Sequence, residues 1–264
     1  MVAFLPRYSA RCDRADGLVG TLPVMTPTVS FLSDFGHRDE FVGVVHGVIA
    51  RIAPEVRVID VTHGIGRGDV HAGALALTRA VQFMPDGVFL AVVDPGVGSD
   101  RKAIAARTPV GYFVGPDNGL MSRLPGIVRV SVIDWQPSRL SATFHGRDLF
   151  APVAARLATT NTVPKTPAAI DDMVGADWPM HRDEIVYIDG YGNLMVGRML
   201  EDVSEINGLR IGDEQLTNAG TFSDVPAGAA FWYRNSLGLL EIAVNGGSAA
   251  ERFGLALGDR ILLS

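Results

Sequence analysis

The sequence of 264 residues has little cysteine, no run of basic residues and no long apolar stretch. Its single cysteine, Cys12, excludes an internal disulfide and a cysteine-based zinc site, and it fits a reducing, cytoplasmic location. No apolar stretch is long enough to span a membrane. The formal net charge of −6 and the lack of a lysine- and arginine-rich run argue against a nucleic-acid partner.

Signatures of phosphate binding and of covalent catalysis are also missing. Neither GxxxxGK[ST] nor GxGxxG occurs, and the glycines of HGIGRGD (63–69) do not have the spacing of a dinucleotide loop. No serine or cysteine lies in a recognisable nucleophile elbow. If a nucleoside binds, we therefore do not expect its phosphates to be the group that is recognised.

The first 27 residues differ in composition from the rest of the chain. They contain several arginines but no sustained apolar core, which makes them a poor secretory signal, and their acidic residues argue against a transit peptide. We expect residues 1–27 to be either a disordered extension or the result of an upstream start, with Met25 as the alternative initiator.

Short apolar runs alternate with helical patterns over the first two thirds of the chain. Two amphipathic helices are predicted at 41–52 and 70–84. The runs predicted as strands are TVSFLS (28–33), RVIDV (57–61), GVFLAVV (87–93), GYFVG (111–115) and RVSVI (129–133). The alternation predicts an α/β domain over 28–165, with a mostly parallel sheet covered on both faces.

The pattern changes after this region. TFHGRDLFAPVAARLA (143–158) predicts a loop that leads into a helix, with Asp148 as its N-cap and Pro152 in its first turn. Residues 166–183 are rich in Thr, Pro and Asp and are predicted to be a linker. Short strand-like runs with Gly and Asn turns then predict a smaller β-barrel or sandwich domain over 184–264.

Four acidic residues lie at or near the carboxyl ends of predicted strands: Asp34, Asp60, Asp94 and Asp117. A single acid in such a place is usually a cap or a turn residue. In open α/β sheets, however, ligands bind beyond the carboxyl ends of the strands, and four acids together favour a binding site there.

The segment AVVDPGVGSDRKA (91–103) joins a strand to a carboxylate, a stiff turn and an arginine. One interpretation is a surface ion pair between Asp94 and Arg101. The other is an active site in which His145 of TFHGRD meets this loop, titrates near neutral pH and helps the pair to hold and polarise a water molecule.

A metal-dependent hydrolase that uses the strand-end carboxylates is an alternative. Its candidate ligands are His63 and His71 together with Asp60 and Asp69, but their spacing matches no metal signature. His63 can instead satisfy a buried backbone group.

Seven motifs occur in an order that resembles the SAM hydroxide adenosyltransferase family, from about residue 28 to the C-terminus. They are SDFGHRDEFVGVVHGVI (33–49), DVTH (60–63), VVDPGVGSDRKA (92–103), GPDNGL (115–120), TFHGRDLFAPVAA (143–155), IDGYGNLM (188–195) and EIAVNGGSAAERFGLALGD (241–259). The family contains S-adenosyl-L-methionine (SAM) hydrolases that form adenosine, and the fluorinase and chlorinase are its halogenating relatives. The resemblance implies an N-terminal α/β domain, a C-terminal β-barrel and a homotrimer with active sites at subunit interfaces.

The reaction that the resemblance implies is the attack of water or hydroxide on the ribose 5′ carbon of SAM, giving adenosine and L-methionine without a metal or other cofactor. The family's catalytic Asp, Arg and His correspond to Asp94, Arg101 and His145. Because the halogenating relatives replace this Asp by an aromatic residue and lack HGRD, hydrolysis is favoured here. Asp34 corresponds to the ribose-binding acid, and Ser33 stands where the family usually has Thr.

The resemblance also assigns the remaining substrate contacts. Asp39 and Asp189 would lie near the methionine amino group and Ser236 near its carboxylate. Tyr191, in place of the more usual Phe, would stack on adenine, and Asn193 would hydrogen-bond it. A SAM- or adenosine-binding sensor without turnover, or an enzyme for another nucleoside, stays an alternative that product analysis would separate.

Overall fold

The computed structural model describes residues 26–179 and 181–263, which divide into two compact units between Asp177 and Trp178. Most of the predicted N-terminal extension, residues 1–25, lies outside the described residues. Within the described part of the chain, no helix combines the length and the hydropathy needed to cross a membrane.

From residue 26 onward, where the structure describes it, the first unit has one seven-stranded sheet and three α-helices. Its elements are β1 (Thr28–Ser33), α1 (Phe41–Ile52), β2 (Arg57–Thr62), α2 (Val70–Val81), β3 (Gly87–Val92), β4 (Ala103–Thr108), β5 (Gly111–Pro116), β6 (Arg129–Ile133), α3 (Ala151–Thr160) and β7 (Lys165–Ala168). The strand order is β2-β1-β3-β5-β4-β6-β7. The four strands β2-β1-β3-β5 are mutually parallel, and β4, β6 and β7 extend the sheet with antiparallel pairs.

Side chains alternate between the two faces of this sheet and build a core on each. Val29 and Phe31 of β1 join one buried cluster with Ile49 of α1, whereas Leu32 joins the other with Leu77 of α2. Because both faces are covered, the central strand β3 (GVFLAV) carries no polar side chain, as expected for the parallel part of a sheet. The α/β class predicted for this domain is confirmed.

The approach to α3 differs from its prediction. Gly146–Phe150 form a π-helical turn that runs directly into α3, so Asp148 is not the N-cap. Its carboxylate instead accepts a hydrogen bond from the Ser141 amide (2.9 Å) and pairs with Arg147. Pro152 lies in the first turn of α3, as predicted.

The segment predicted as a linker contains regular structure. It includes most of β7, which pairs with β6, and the Val174 amide donates to the Asp117 carboxylate (3.0 Å). The sheet of the first unit therefore extends into residues 166–183.

The second unit is a curled, mainly antiparallel sheet. Its elements are β8 (Ile185–Ile188), β9 (Leu194–Met199), β10 (Leu209–Ile211), β11 (Glu214–Asn218), β12 (Ala230–Arg234), β13 (Leu239–Val244), α4 (Ala249–Phe253) and β14 (Leu262–Leu263), in the order β14-β10-β11-β12-β13-β9-β8. The two sheet edges approach each other: the Ile185 amide donates to the backbone carbonyl oxygen of Asp259, and the Ile261 amide donates to that of Asp183, each at 2.8 Å. The result is a half-barrel around a core that includes Trp232, in agreement with the predicted class.

Candidate active site

The four predicted strand-end acids lie at one edge of the first unit's sheet. Asp34 follows β1, Asp60 lies near the end of β2, Asp94 follows β3 and Asp117 follows β5. These are the four neighbouring parallel strands, so their carboxyl ends meet at the same edge. Burial raises the pKa of Asp117, and the Val174 amide uses one of its oxygens, which indicates a structural role for this acid.

Asp94 and Arg101 form a close, largely buried ion pair. The Arg101 Nε lies 2.9 and 3.0 Å from the two Asp94 oxygens, and Nη2 lies 2.5 Å from Oδ2. The side chains are only 5% and 10% exposed for the acid and the arginine. The turn between them needs glycine at Gly98, where φ is +82° and a Cβ would collide with the carbonyl oxygen of Ala142. This turn brings the two charges together.

His145 joins the pair through the same guanidinium group. Arg101 Nη2 donates to His145 Nδ1 at 2.7 Å, so Nδ1 must be unprotonated and the neutral ring carries its proton on Nε2. Burial, and next the positive charge of Arg101, lower the pKa of His145, which keeps the ring neutral at pH 7. The structure thus brings together the three residues predicted to be catalytic, which we call the strand-edge trio.

Asp34 lies half-buried just beyond β1. Its Oδ2 accepts a hydrogen bond from the Gly68 amide at 2.8 Å, while Oδ1 accepts none from any described residue. The glycine-rich loop before α2 therefore presents an amide to a carboxylate rather than to a phosphate. Asp39 lies two residues before α1, and its side chain is exposed. Within the described chain, no hydrogen bond or ion pair joins it to the strand-edge trio.

Three of the residues considered as metal ligands, Asp60, His63 and Asp69, make other contacts in the structure. Asp69 caps α2 by accepting from the Ala72 amide (2.9 Å), and Asp60 contacts His46 and His63. Among residues 26–179 and 181–263, no group of three or more His, Cys, Asp or Glu is arranged to hold a metal ion.

The second unit contains an open cavity of about 840 Å³. All four substrate-binding residues predicted in this part of the chain line it: Asp189, Tyr191, Asn193 and Ser236. We call it the C-terminal cavity.

Asp189 holds the turn between β8 and β9 on one side of this cavity. Its Oδ1 accepts from the amides of Tyr191 and Asn193, and its Oδ2 accepts from Asn193 Nδ2, all at 2.9 Å. Tyr191 at the tip of the turn is 82% exposed, so its ring is available to a ligand or a partner. Asn193 Oδ1 is buried and accepts no hydrogen bond from the residues that the structure describes.

On another side of the C-terminal cavity, a buried carboxylate that sequence reasoning missed supports the turn that carries Ser236. Glu241 accepts from the Tyr233 hydroxyl and from Asn235 Nδ2 (2.8 Å). Asn235 Oδ1 in turn accepts from the amides of Leu237 and Leu239, each at 2.9 Å. Burial, and then Glu241, raise the pKa of Tyr233. The signal available in the sequence was a glutamate within the apolar strand LLEIAV.

Family models match both units of the chain. The N-terminal domain model of the SAM hydroxide adenosyltransferases matches residues 29–166, and the C-terminal domain model matches residues 183–262. The chain belongs to the SAM hydroxide adenosyltransferase family.

The similarity to named relatives covers most of this chain. A protein named (R)-S-adenosyl-L-methionine hydrolase from Salinispora arenicola is 41% identical, over 89% of this chain and 97% of its own. A fluorinase from Actinopolyspora mzabensis is more distant, with 26% identity over 88% and 95% of the two chains. A crystal structure of an uncharacterized conserved protein from Thermotoga maritima superposes with a TM-score of 0.79 at 33% identity, covering 88% of this chain and 98% of that one.

Proposed function

We propose that this protein hydrolyses SAM to adenosine and L-methionine, with the strand-edge trio as its catalytic residues. The observation that carries the proposal is the buried Asp94–Arg101–His145 arrangement at the carboxyl edge of the parallel strands, in a member of the SAM hydroxide adenosyltransferase family. The relatives named (R)-S-adenosyl-L-methionine hydrolase, at 37–41% identity, support the same substrate and reaction.

The proposed reaction needs no catalytic group to activate the leaving group. Sulfur in the sulfonium already carries a positive charge, so it leaves with the electron pair of the C5′–S bond as neutral methionine thioether and needs no general acid. The water oxygen forms the new C5′–O bond and gives one proton away. The protein must therefore hold a water in line with C5′ and keep other water out.

The strand-edge trio has the groups for this task. A carboxylate oxygen of Asp94 can accept a hydrogen bond from the water, which increases its hydroxide character, and can take the proton that the water loses as the C5′–O bond forms. The Nε2–H of neutral His145 can donate to the water oxygen and orient it. Arg101 holds both partners, because its guanidinium donates to the carboxylate and to Nδ1 simultaneously.

Substrate binding is distributed over the remaining predicted residues. In this proposal Asp34 takes the ribose diol through its unused Oδ1, and Asp39 and Asp189 lie near the methionine amino group. Tyr191 stacks on adenine and Asn193 hydrogen-bonds it. Ser236 contacts the methionine carboxylate. A metal-independent reaction, a homotrimer with active sites at subunit interfaces and a cytoplasmic location complete the proposal.

Product analysis tests this function directly. Purified protein incubated with SAM in heavy-oxygen water should release methionine and adenosine that carries the label in its 5′ hydroxyl, since attack occurs at C5′. The Asp94→Ala and His145→Ala variants should lose at least about a hundredfold in turnover, a typical scale for positioned acid–base groups. Asp100→Asn, an exposed change in the same turn, is the matched control and should retain activity.

Each alternative predicts a different outcome. A metal-dependent hydrolase would lose activity in EDTA, whereas we expect the rate to be unchanged. A sensor would bind SAM without releasing adenosine. Near-wild-type release by both alanine variants would contradict the assignment of the strand-edge trio.

A further inference from the structure

We propose that His63 is a positioning residue that holds Asp34 in the orientation needed to bind the ribose diol. The inference rests on the proposed function, because it concerns the site at which Asp34 takes the substrate. His63 follows β2, whereas Asp34 follows the neighbouring strand β1, so the contact joins two parallel strands at the edge of the sheet.

The first connection runs through the side chain of Ser33, the last residue of β1. Ser33 and His63 are fully buried, and Ser33 Oγ lies 2.7 Å from His63 Nδ1. The Phe35 amide donates to the same Oγ at 3.3 Å, so the serine hydroxyl is free to donate to Nδ1. Nδ1 is then the acceptor, and the ring proton is on Nε2.

The surroundings of the ring favour this tautomer. His63 Nε2 lies 3.0 Å from Asp60 Oδ1, which also contacts His46 Nε2 at 2.8 Å. Burial lowers the pKa of His63, an effect that Asp60 partly offsets, so the ring is neutral at pH 7. Burial raises the pKa of Asp60, but its contacts with His63 and His46 lower it more, so this acid stays ionised and its negative charge faces Nε2.

The second connection uses the backbone of His63. The Gly36 amide donates to the His63 carbonyl oxygen at 2.8 Å. His63 thus contacts Ser33 through its ring and Gly36 through its carbonyl oxygen, and these two residues flank the Asp34–Phe35 pair. Asp34 itself is held by the Gly68 amide through Oδ2, which leaves Oδ1 for a ligand. A loop fixed at both ends presents this oxygen in one place.

A matched pair of substitutions separates the hydrogen bond from the bulk of the ring. In His63→Asn, the side-chain oxygen reaches the place of Nδ1 and can still accept from Ser33. In His63→Gln, the amide extends toward the place of Nε2, and the serine hydroxyl loses its acceptor. Ser33→Ala removes the donor, and Ser33→Thr keeps it.

The readout is the affinity for adenosine and 2′-deoxyadenosine, measured by calorimetry, together with KM and kcat for SAM. We expect His63→Gln and Ser33→Ala to raise KM by about tenfold, the effect of one unpaired buried polar group, with kcat changed by less than about threefold. Both should also lose the preference for adenosine over 2′-deoxyadenosine, as Asp34→Asn should. His63→Asn and Ser33→Thr should stay close to wild type.

Two outcomes would overturn the inference, and a third would overturn only the proposed function. If His63→Gln and Ser33→Ala lower the melting temperature but keep KM and the ribose preference, His63 only stabilises the fold. If wild type does not bind adenosine, Asp34 has no ribose to hold. Adenosine binding without hydrolysis of SAM would contradict the proposed function while the ribose preference still tests His63.

Discussion

Arg101 determines the protonation state of the strand-edge trio. A guanidinium is always a donor, so the nitrogen of His145 that faces it must be an acceptor. The same positive charge disfavours a second positive charge on the ring. His145 is thus a neutral donor through Nε2, and Asp94 is the group in the trio that can accept a proton from water.

The titration of His145 is a direct test of this arrangement. Burial and Arg101 lower its pKa, so the neutral ring should persist below the pH at which an ordinary histidine becomes charged. We expect the NMR signals of His145 to titrate below pH 6.5, and the Arg101→Gln substitution should move that titration upward because it removes the positive charge. His145→Gln assigns the signal. An unchanged titration in Arg101→Gln would contradict the contact.

The lowered pKa values of the buried histidines also make the folding stability depend on pH. A histidine whose pKa is lower in the folded state binds fewer protons there than in the unfolded chain, so folding stability declines as pH falls through this range. His63 and His145 are both of this kind. Both buried rings therefore oppose folding in acid.

At the scale of elements, the carboxylate of Glu241 on β13 determines how the β12–β13 turn is built. Because a carboxylate only accepts hydrogen bonds, it fixes the amide of Asn235 with its nitrogen toward Glu241 and its oxygen toward the turn. Asn235→Asp would place two carboxylates side by side in a buried position. We expect that variant to lose about 2 kcal/mol or more in the free energy of unfolding.

The compensating exchange is the control for this prediction. In Asn235→Asp combined with Glu241→Gln, the glutamine nitrogen can donate to the new aspartate, so most of the lost stability should return in denaturant unfolding. Glu241→Gln alone should be mild, since the glutamine oxygen still accepts from Asn235. A double variant no more stable than Asn235→Asp would refute the donor–acceptor order.

How far the elements could be predicted depended on how clearly their side chains alternate. TVSFLS and FVGVVHGVIARI coincide with β1 and α1, because their apolar spacing has the period of a strand and of a helix. β4, with the sequence AIAART, was missed since alanine has low β propensity, and only its pairing with β5 and β6 makes it a strand.

The candidate site was predictable to a similar degree. Acids after strands and the family motifs indicated the strand-edge trio and the residues of the C-terminal cavity. The tautomer of His145, the Ser33–His63 contact and the buried Glu241 depend on distances between segments far apart in sequence. No local pattern encodes such distances.

For the whole molecule, the balance of charge suits the proposed substrate. The chain is acidic, with a net charge of −6, and SAM carries a positive sulfonium. An acidic surface attracts a cation and gives no advantage to polyanions. Hydrolysis removes the sulfonium charge, so the electrostatic attraction acts on the substrate more strongly than on either product.

The assembly is the last prediction. Tyr191 is 82% exposed at the rim of the C-terminal cavity, where a ligand or another subunit can cover its ring. We expect sedimentation velocity to give a species of three times the monomer mass, because the family resemblance implies a homotrimer. Tyr191→Ser should keep that mass and raise KM for SAM, since the proposed function uses this ring to stack on adenine. A monomer at micromolar concentration that still hydrolyses SAM would show that the active site needs no second subunit, and the trimer would then be wrong.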